Sequence, residues 1–157
     1  MSKFQLKIFF KAAYDLMLVF LQFFIISLHF FSWEIIPQIQ IIQVNPFFYL
    51  MGFLIIMIAF IILLVAVKDL GSNLSPFPKP KANSKLVTTG IYRFMRHPMY
   101  YSLIIISFGV FLTKLSIYHL CLTITLTLLI KFKIILEEQY LKNKFKNYFL
   151  YKKGVKY

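Results

Sequence analysis

The sequence predicts an all-α integral membrane protein of about four transmembrane helices, with a structured cytoplasmic loop and a C-terminal amphipathic helix. Three observations carry that reading. Of the 157 residues, 60% are hydrophobic and only 15% are charged. That is more apolar surface than a soluble domain of this size can bury, and far too much for a disordered chain. The apolar residues fall into four runs with no charge inside them. The 18 Lys and Arg, against 5 Asp and Glu, gather at every second connection between those runs.

The first run extends from about Leu16 to Trp33 and the second from Pro46 or Phe47 to Val67. Each can cross a hydrocarbon core of about 30 Å at about 1.5 Å per residue. No small-x-small cleavage site follows the first run, so it is expected to be a retained span. The third and fourth runs, Met99–Thr113 and Leu115–Ile130, are shorter and are separated only by Lys114. They are expected to form a tight hairpin of two spans, with Arg96, Lys131 and Lys133 reaching the headgroups; the alternative is one re-entrant element. Lys and Arg number three before the first run, none in the first loop, six in the second loop, one in the hairpin turn and eight in the tail. Alternate segments therefore carry 17 against 1, which places both termini and the second loop in the cytoplasm. The excess positive charge is accounted for by this topology and by anionic membrane lipids, with no call for nucleic acid. The single cysteine, Cys121, excludes an intramolecular disulfide, and is expected to be a small packing residue. No His, Cys and carboxylate spacing indicates a metal site. The chain divides into two N-terminal helices, residues 1–67, and a C-terminal region, residues 68–157, that holds the polar motifs.

The second loop, Lys68–Pro98, is long for so small a protein, and long structured loops are often functional. Pro76, Pro78 and Pro80 favour an extended, polyproline-like path. Gly71 is expected to end the second helix, and Thr89-Gly90 to make a turn. The loop closes on Arg96-His97-Pro98. Proline suits the first turn of a helix, where its missing N–H costs nothing, and it pushes His97 toward an extended backbone. Free N–H groups beside Arg96 make this start either an anion site or a simple interfacial anchor. Glu137-Glu138 follows the fourth run, and Glu137, Leu141, Phe145 and Tyr148 share one helical face by spacing. The two acids either pair with Lys133, Lys142 or Arg96 or hold a ligand. His29 and His119 lie far from the basic loop and are expected to be packed or interfacial, while Asp15 is a candidate partner of Lys11.

The segments Asn73-Leu-Ser-Pro-Phe-Pro-Lys-Pro80, Leu86-Val-Thr-Thr-Gly-Ile-Tyr-Arg-Phe-Met-Arg-His-Pro-Met-Tyr-Tyr101, Glu137-Glu-Gln-Tyr-Leu141 and Tyr148-Phe-Leu-Tyr151 together resemble the isoprenylcysteine carboxyl methyltransferase family. The likeness is to its small bacterial members, which are related to phospholipid methyltransferases, and it covers about Lys68–Tyr157. It implies an integral membrane methyltransferase that uses S-adenosylmethionine. The residues implied for the cofactor are Tyr92, Arg96, His97, Pro98, Tyr100, Glu137, Glu138 and Tyr148, with Arg96 and His97 as candidate catalytic groups. Carboxylates would take the ribose or ammonium, Arg96 and His97 the cofactor carboxylate, and tyrosines the adenine or sulfonium. The implied partner is a lipophilic acceptor entering from the bilayer, an isoprenylcysteine-like carboxylate or a lipid. Relatives carry an arginine after the Tyr-x-x-Tyr pair; here Lys152 and Lys153 stand there, point charges without the bidentate fork. Competing readings are an NADPH-dependent reductase of sterol-reductase-like architecture and a non-catalytic membrane protein.

Overall fold

The computed structural model describes residues 3–31 and 45–155, with side chains from residue 13 onward. Five helices account for most of them: α1 (Lys3–Leu28), α2 (Pro46–Leu70), α3 (Pro98–Lys114), α4 (Ile117–Lys144) and α5 (Tyr148–Gly154). No strand occurs among the described residues. The first loop, which holds the expected low-charge turn, lies outside them, as does the Lys11 side chain.

The helix starts follow local chemistry. The Asn45 side chain accepts from the Phe48 N–H at 3.1 Å, with Pro46 in the first turn of α2. Ser116 caps α4 in the same way, accepting from the His119 N–H at 3.3 Å. Between α3 and α4, Leu115 takes a left-handed conformation (φ 46°), so the two helices form a tight hairpin around Lys114–Ser116. Gly71 terminates α2 as expected. His97 is non-helical (φ −129°, ψ 55°) but short of fully extended, because its carbonyl already accepts the first α3 hydrogen bond from the Tyr101 N–H.

Two helices, α2 and α4, are long and apolar enough to cross a membrane; α3 and the described apolar part of α1 are shorter. Outward-facing Phe20, Phe47, Leu54, Ile58, Ile61 and Leu128 are exposed, as expected of surface that meets lipid tails. Helix α2 lies against α3 through a glycine pair. A Cβ on Gly52 would sit 2.6 Å from the Gly109 carbonyl oxygen, and one on Gly109 would sit 2.6 Å from Ile56 Cγ1. With no apolar gain from leaving water, helices in lipid associate by such close backbone approach. Helix α1 packs on α4, whose inward stripe is His119, Leu122, Thr123, Leu126, Ile130 and Lys133. Cys121 falls off that stripe and is exposed, not packed, because two residues turn a helix to its opposite side. Asp15 is buried within 3.4 Å of the Tyr140 hydroxyl. His29 and His119 pack with their rings tilted by 35° and 5.6 Å apart, tied respectively to Ser107 (2.7 Å) and Ser116 (2.9 Å), at the hairpin-turn end.

Two further expectations are corrected. The proline-rich loop does not run straight: it bends over residues 76–79, burying Pro78, and is stitched down at both flanks. Asn73 Oδ1 accepts from the Lys85 N–H at 2.8 Å, and Lys144 Nζ donates to the Ala82 carbonyl (2.9 Å), Ser84 Oγ (2.8 Å) and the Lys81 carbonyl. Nor do Glu137, Leu141, Phe145 and Tyr148 lie on one helix. Helix α4 ends at Lys144, Phe145 is extended, and Tyr148 opens α5. A straight helix would carry Tyr148 about 16 Å along the axis from Glu137. The break turns it back, and Tyr148 is fully buried.

Candidate functional site

The hairpin sets the site. Because α3 and α4 run antiparallel from the Lys114 turn, the start of α3 and the end of α4 meet at the opposite end, bringing His97 and Glu138 within 3.6 Å. The approach to α3 is fixed from α2. Asp69 Oδ2 accepts from the Ile91 N–H at 2.8 Å, holding a short 3-10 turn, Gly90–Arg93, against the end of α2. Gly90 is required there: its φ is +59°, and a Cβ would overlap the Asp69 carboxylate. That turn buries Tyr92 and delivers Arg96, His97 and Pro98 in succession.

Glu138 is the focus of the charged cluster. Its Oε1 lies 3.1 Å from Arg96 Nε and 3.6 Å from His97 Nε2, and its Oε2 accepts from Lys152 Nζ. Arg96 also donates through Nη1 to the Val155 carbonyl at 2.5 Å and the Lys152 carbonyl at 3.4 Å, closing the C-terminal end of α5. The Tyr151 hydroxyl donates to the Tyr92 carbonyl at 2.6 Å. Of the two lysines after Tyr151, Lys152 therefore faces the cluster, whereas Lys153 lies 4.6 Å over the Phe149 ring. The phenols are held neutral. Burial, then the Glu137 charge, pushes Tyr92 well above the ordinary tyrosine range; burial, then Glu138, does the same to Tyr148; burial pushes Tyr151 up to about 12. All three are hydrogen-bond donors at any physiological pH.

Arg96 Nε, His97 Nε2, Glu138 Oε1 and Tyr148 Oη are buried, yet none makes a well-aligned hydrogen bond among the described residues. They face one another instead: Glu138 Oε1 stands between Arg96 Nε and His97 Nε2, so a polar ligand entering here would exchange these contacts rather than fill empty ones. Two hollows meet beside them. One lies beneath the bent loop, between Asn73, Phe77, Pro78, Leu141, Phe145 and Tyr148. Its enclosed space is only about 80 Å³, against about 300–1,000 Å³ for small-molecule pockets, so a nucleoside needs the loop to lift. The other is an apolar cavity of about 400 Å³ between α1, α2, α3 and α4, with Phe23, Ile26, Leu63, Leu64, Met99 and Leu103 in its walls. The two share Leu70, Ser75, Tyr92, Arg96 and Glu137.

All eight candidate residues thus converge. Arg96, His97, Glu138 and Tyr148 form the charged cluster. Tyr92 and Glu137 stand in the shared wall, and Tyr100 lies beside His97 (rings 5.9 Å apart) and lines the apolar cavity. Pro98 is buried and only starts the helix. Asp69 and Gln22 escaped the sequence reading. Asp69 could have been found as one of five acids, placed just before the glycine that ends α2; no sequence signal marks Gln22.

Residues 47–148 match the family model described as phospholipid methyltransferase. No curated protein and no solved structure matches the chain.

Proposed function

Because the chain belongs to the phospholipid methyltransferase family, we propose that it transfers the methyl group of S-adenosylmethionine to a lipophilic acceptor held in the bilayer, an isoprenylcysteine-like carboxylate or a lipid amine. The observation that carries this reading is the pair of hollows, one of mixed lining beneath the bent loop and one apolar between the helices, which meet at Tyr92, Arg96 and Glu137. The donor set fits the cofactor. Glu138 and Glu137 match its ammonium and ribose hydroxyls, Arg96 and His97 its carboxylate, and Tyr92 and Tyr148 its sulfonium and adenine.

Bound there, S-adenosylmethionine supplies an electrophilic methyl on a sulfonium. The protein's own part is mainly orientation and exclusion of water. Tyr92 and Glu137 stand where the two hollows meet, and the Ile and Leu walls of the second cavity position the acceptor's tail. A carboxylate acceptor is already ionised at neutral pH and needs no base. An amine acceptor must give up a proton, and His97, which lines the apolar cavity, is the group placed to take it.

The supporting topology has four crossings with both ends cytoplasmic, argued from the 17-to-1 charge asymmetry. Reporter fusions at residue 157 and within residues 39–45 should report opposite sides; the same side for both would refute it. The decisive test of function is calorimetry on the full chain in detergent. Saturable binding of adenosylmethionine and none of NADPH is expected. Binding of NADPH alone, or of neither, would overturn the proposal.

A further inference from the structure

Besides Arg96, which pairs with Glu138 where the two hollows meet, the apolar cavity is lined by a second cation, Lys133. Lys133 is 1% exposed, although it sits on the inward stripe of α4, a turn before Glu137. Its ammonium donates to two neutral oxygens, the Gln22 side-chain carbonyl and the Pro76 carbonyl (3.3 Å), and lies 5.4 Å over the Tyr100 ring. Glu137 and Asp15 act on it only through space. An ammonium has three N–H donors, and the third has no acceptor among the described residues. Gln22, Pro76, Tyr100 and Lys133 all line the cavity of about 400 Å³.

A lysine that merely anchored α4 would turn its head to the headgroup layer. This one is drawn inward and held in place by a side chain from α1 and a carbonyl from the loop. A charge kept inside an apolar space is costly, and it marks a functional contact by default.

We propose that Lys133 is the specificity-determining residue of the acceptor cavity, receiving an oxyanion of the lipid head, phosphate or carboxylate. This rests on the reading of the cavity as the acceptor site. The hydrocarbon tail fills the space among Phe23, Ile26, Leu63 and Leu64. Gln22 is a positioning residue, because it orients the ammonium without lining the hollow beneath the loop.

The test is lipid retention by the purified full chain, read by native mass spectrometry. The probes are a phosphatidylethanolamine, an S-farnesylated N-acetylcysteine and diacylglycerol as the uncharged control. The wild type is expected to keep at least one of the two oxyanion-bearing probes at least tenfold better than diacylglycerol; which one it keeps identifies the phosphate or the carboxylate. Lys133→Met should abolish that preference without changing diacylglycerol retention, and Lys133→Arg should restore most of it. Calorimetry with adenosylmethionine should give the same affinity for all three proteins. No preference in the wild type, or an equal preference in Lys133→Met that folds normally, overturns the inference. Should Lys133→Met fail to fold, the wild-type preference and its survival in Lys133→Arg decide. Retention that depends on Lys133 without any adenosylmethionine binding would leave the lipid site standing and remove the methyltransferase reading.

Discussion

Replacing Glu138 by Gln keeps the shape of the side chain and removes its charge. Its side chain is only 12% exposed and faces Arg96 (3.1 Å), His97 (3.6 Å) and Lys152. A hydrogen bond to a charged group is worth about 1.5–3 kcal/mol, and at about 1.4 kcal/mol per tenfold this predicts adenosylmethionine binding weakened by about 10- to 150-fold. The cost to folding is separate. Cutting a buried ion pair costs about 3–5 kcal/mol when a charge is left stranded. Here Arg96 keeps its bonds to the Val155 and Lys152 carbonyls, and Lys152 is itself one-third exposed, so the loss should be smaller, about 1–2 kcal/mol. Calorimetry gives the first number and thermal melting of the detergent-solubilised protein the second. A fall in Tm with unchanged affinity would show that Glu138 serves only to fasten α5, and would refute its role as a ligand for the cofactor.

Three further outcomes follow from the packing. Gly109→Leu should destabilise the protein by about 1–3 kcal/mol, the usual cost of overpacking, since even a Cβ there reaches within 2.6 Å of Ile56 Cγ1; the drop in Tm measures it. Lys144→Met should free the loop from α4, so limited proteolysis within residues 79–85 should speed up, and cofactor association should quicken because the loop lifts more readily. Tyr151→Phe removes the 2.6 Å bond to the Tyr92 carbonyl and should cost about 1 kcal/mol in melting experiments, with a smaller effect on affinity than Glu138→Gln.

The convergence of His97 with Glu138 was legible in the sequence because two apolar runs of similar length flank a lone Lys114, and a hairpin of that form returns its ends to one level. The break after Lys144 was not. Phe145 and Tyr148 continue a helical spacing, and only the pull of Arg96 and Glu138 on α5 reveals why the chain turns back. The lysines were legible in number but not in role. Lys133, Lys144 and Lys152 look alike as charges in a basic chain, yet one enters an apolar cavity, one staples a loop and one meets a buried carboxylate. Tertiary contacts, which leave no periodic trace, decide between them.

The meeting of the two hollows at Tyr92, Arg96 and Glu137 has a consequence for solubility. Chemistry between an oil-soluble and a water-soluble reactant ordinarily requires one of them to change phase. Drawing a lipid tail into water costs about 0.8 kcal/mol for each CH₂ group, and dissolving a zwitterion in oil costs more still. With the two hollows meeting at these residues, neither reactant of the proposed transfer has to leave its own solvent. On that reading the protein would work as a fixed phase-transfer catalyst, and lengthening the lipid chain beyond the cavity should leave the rate of methyl transfer almost unchanged.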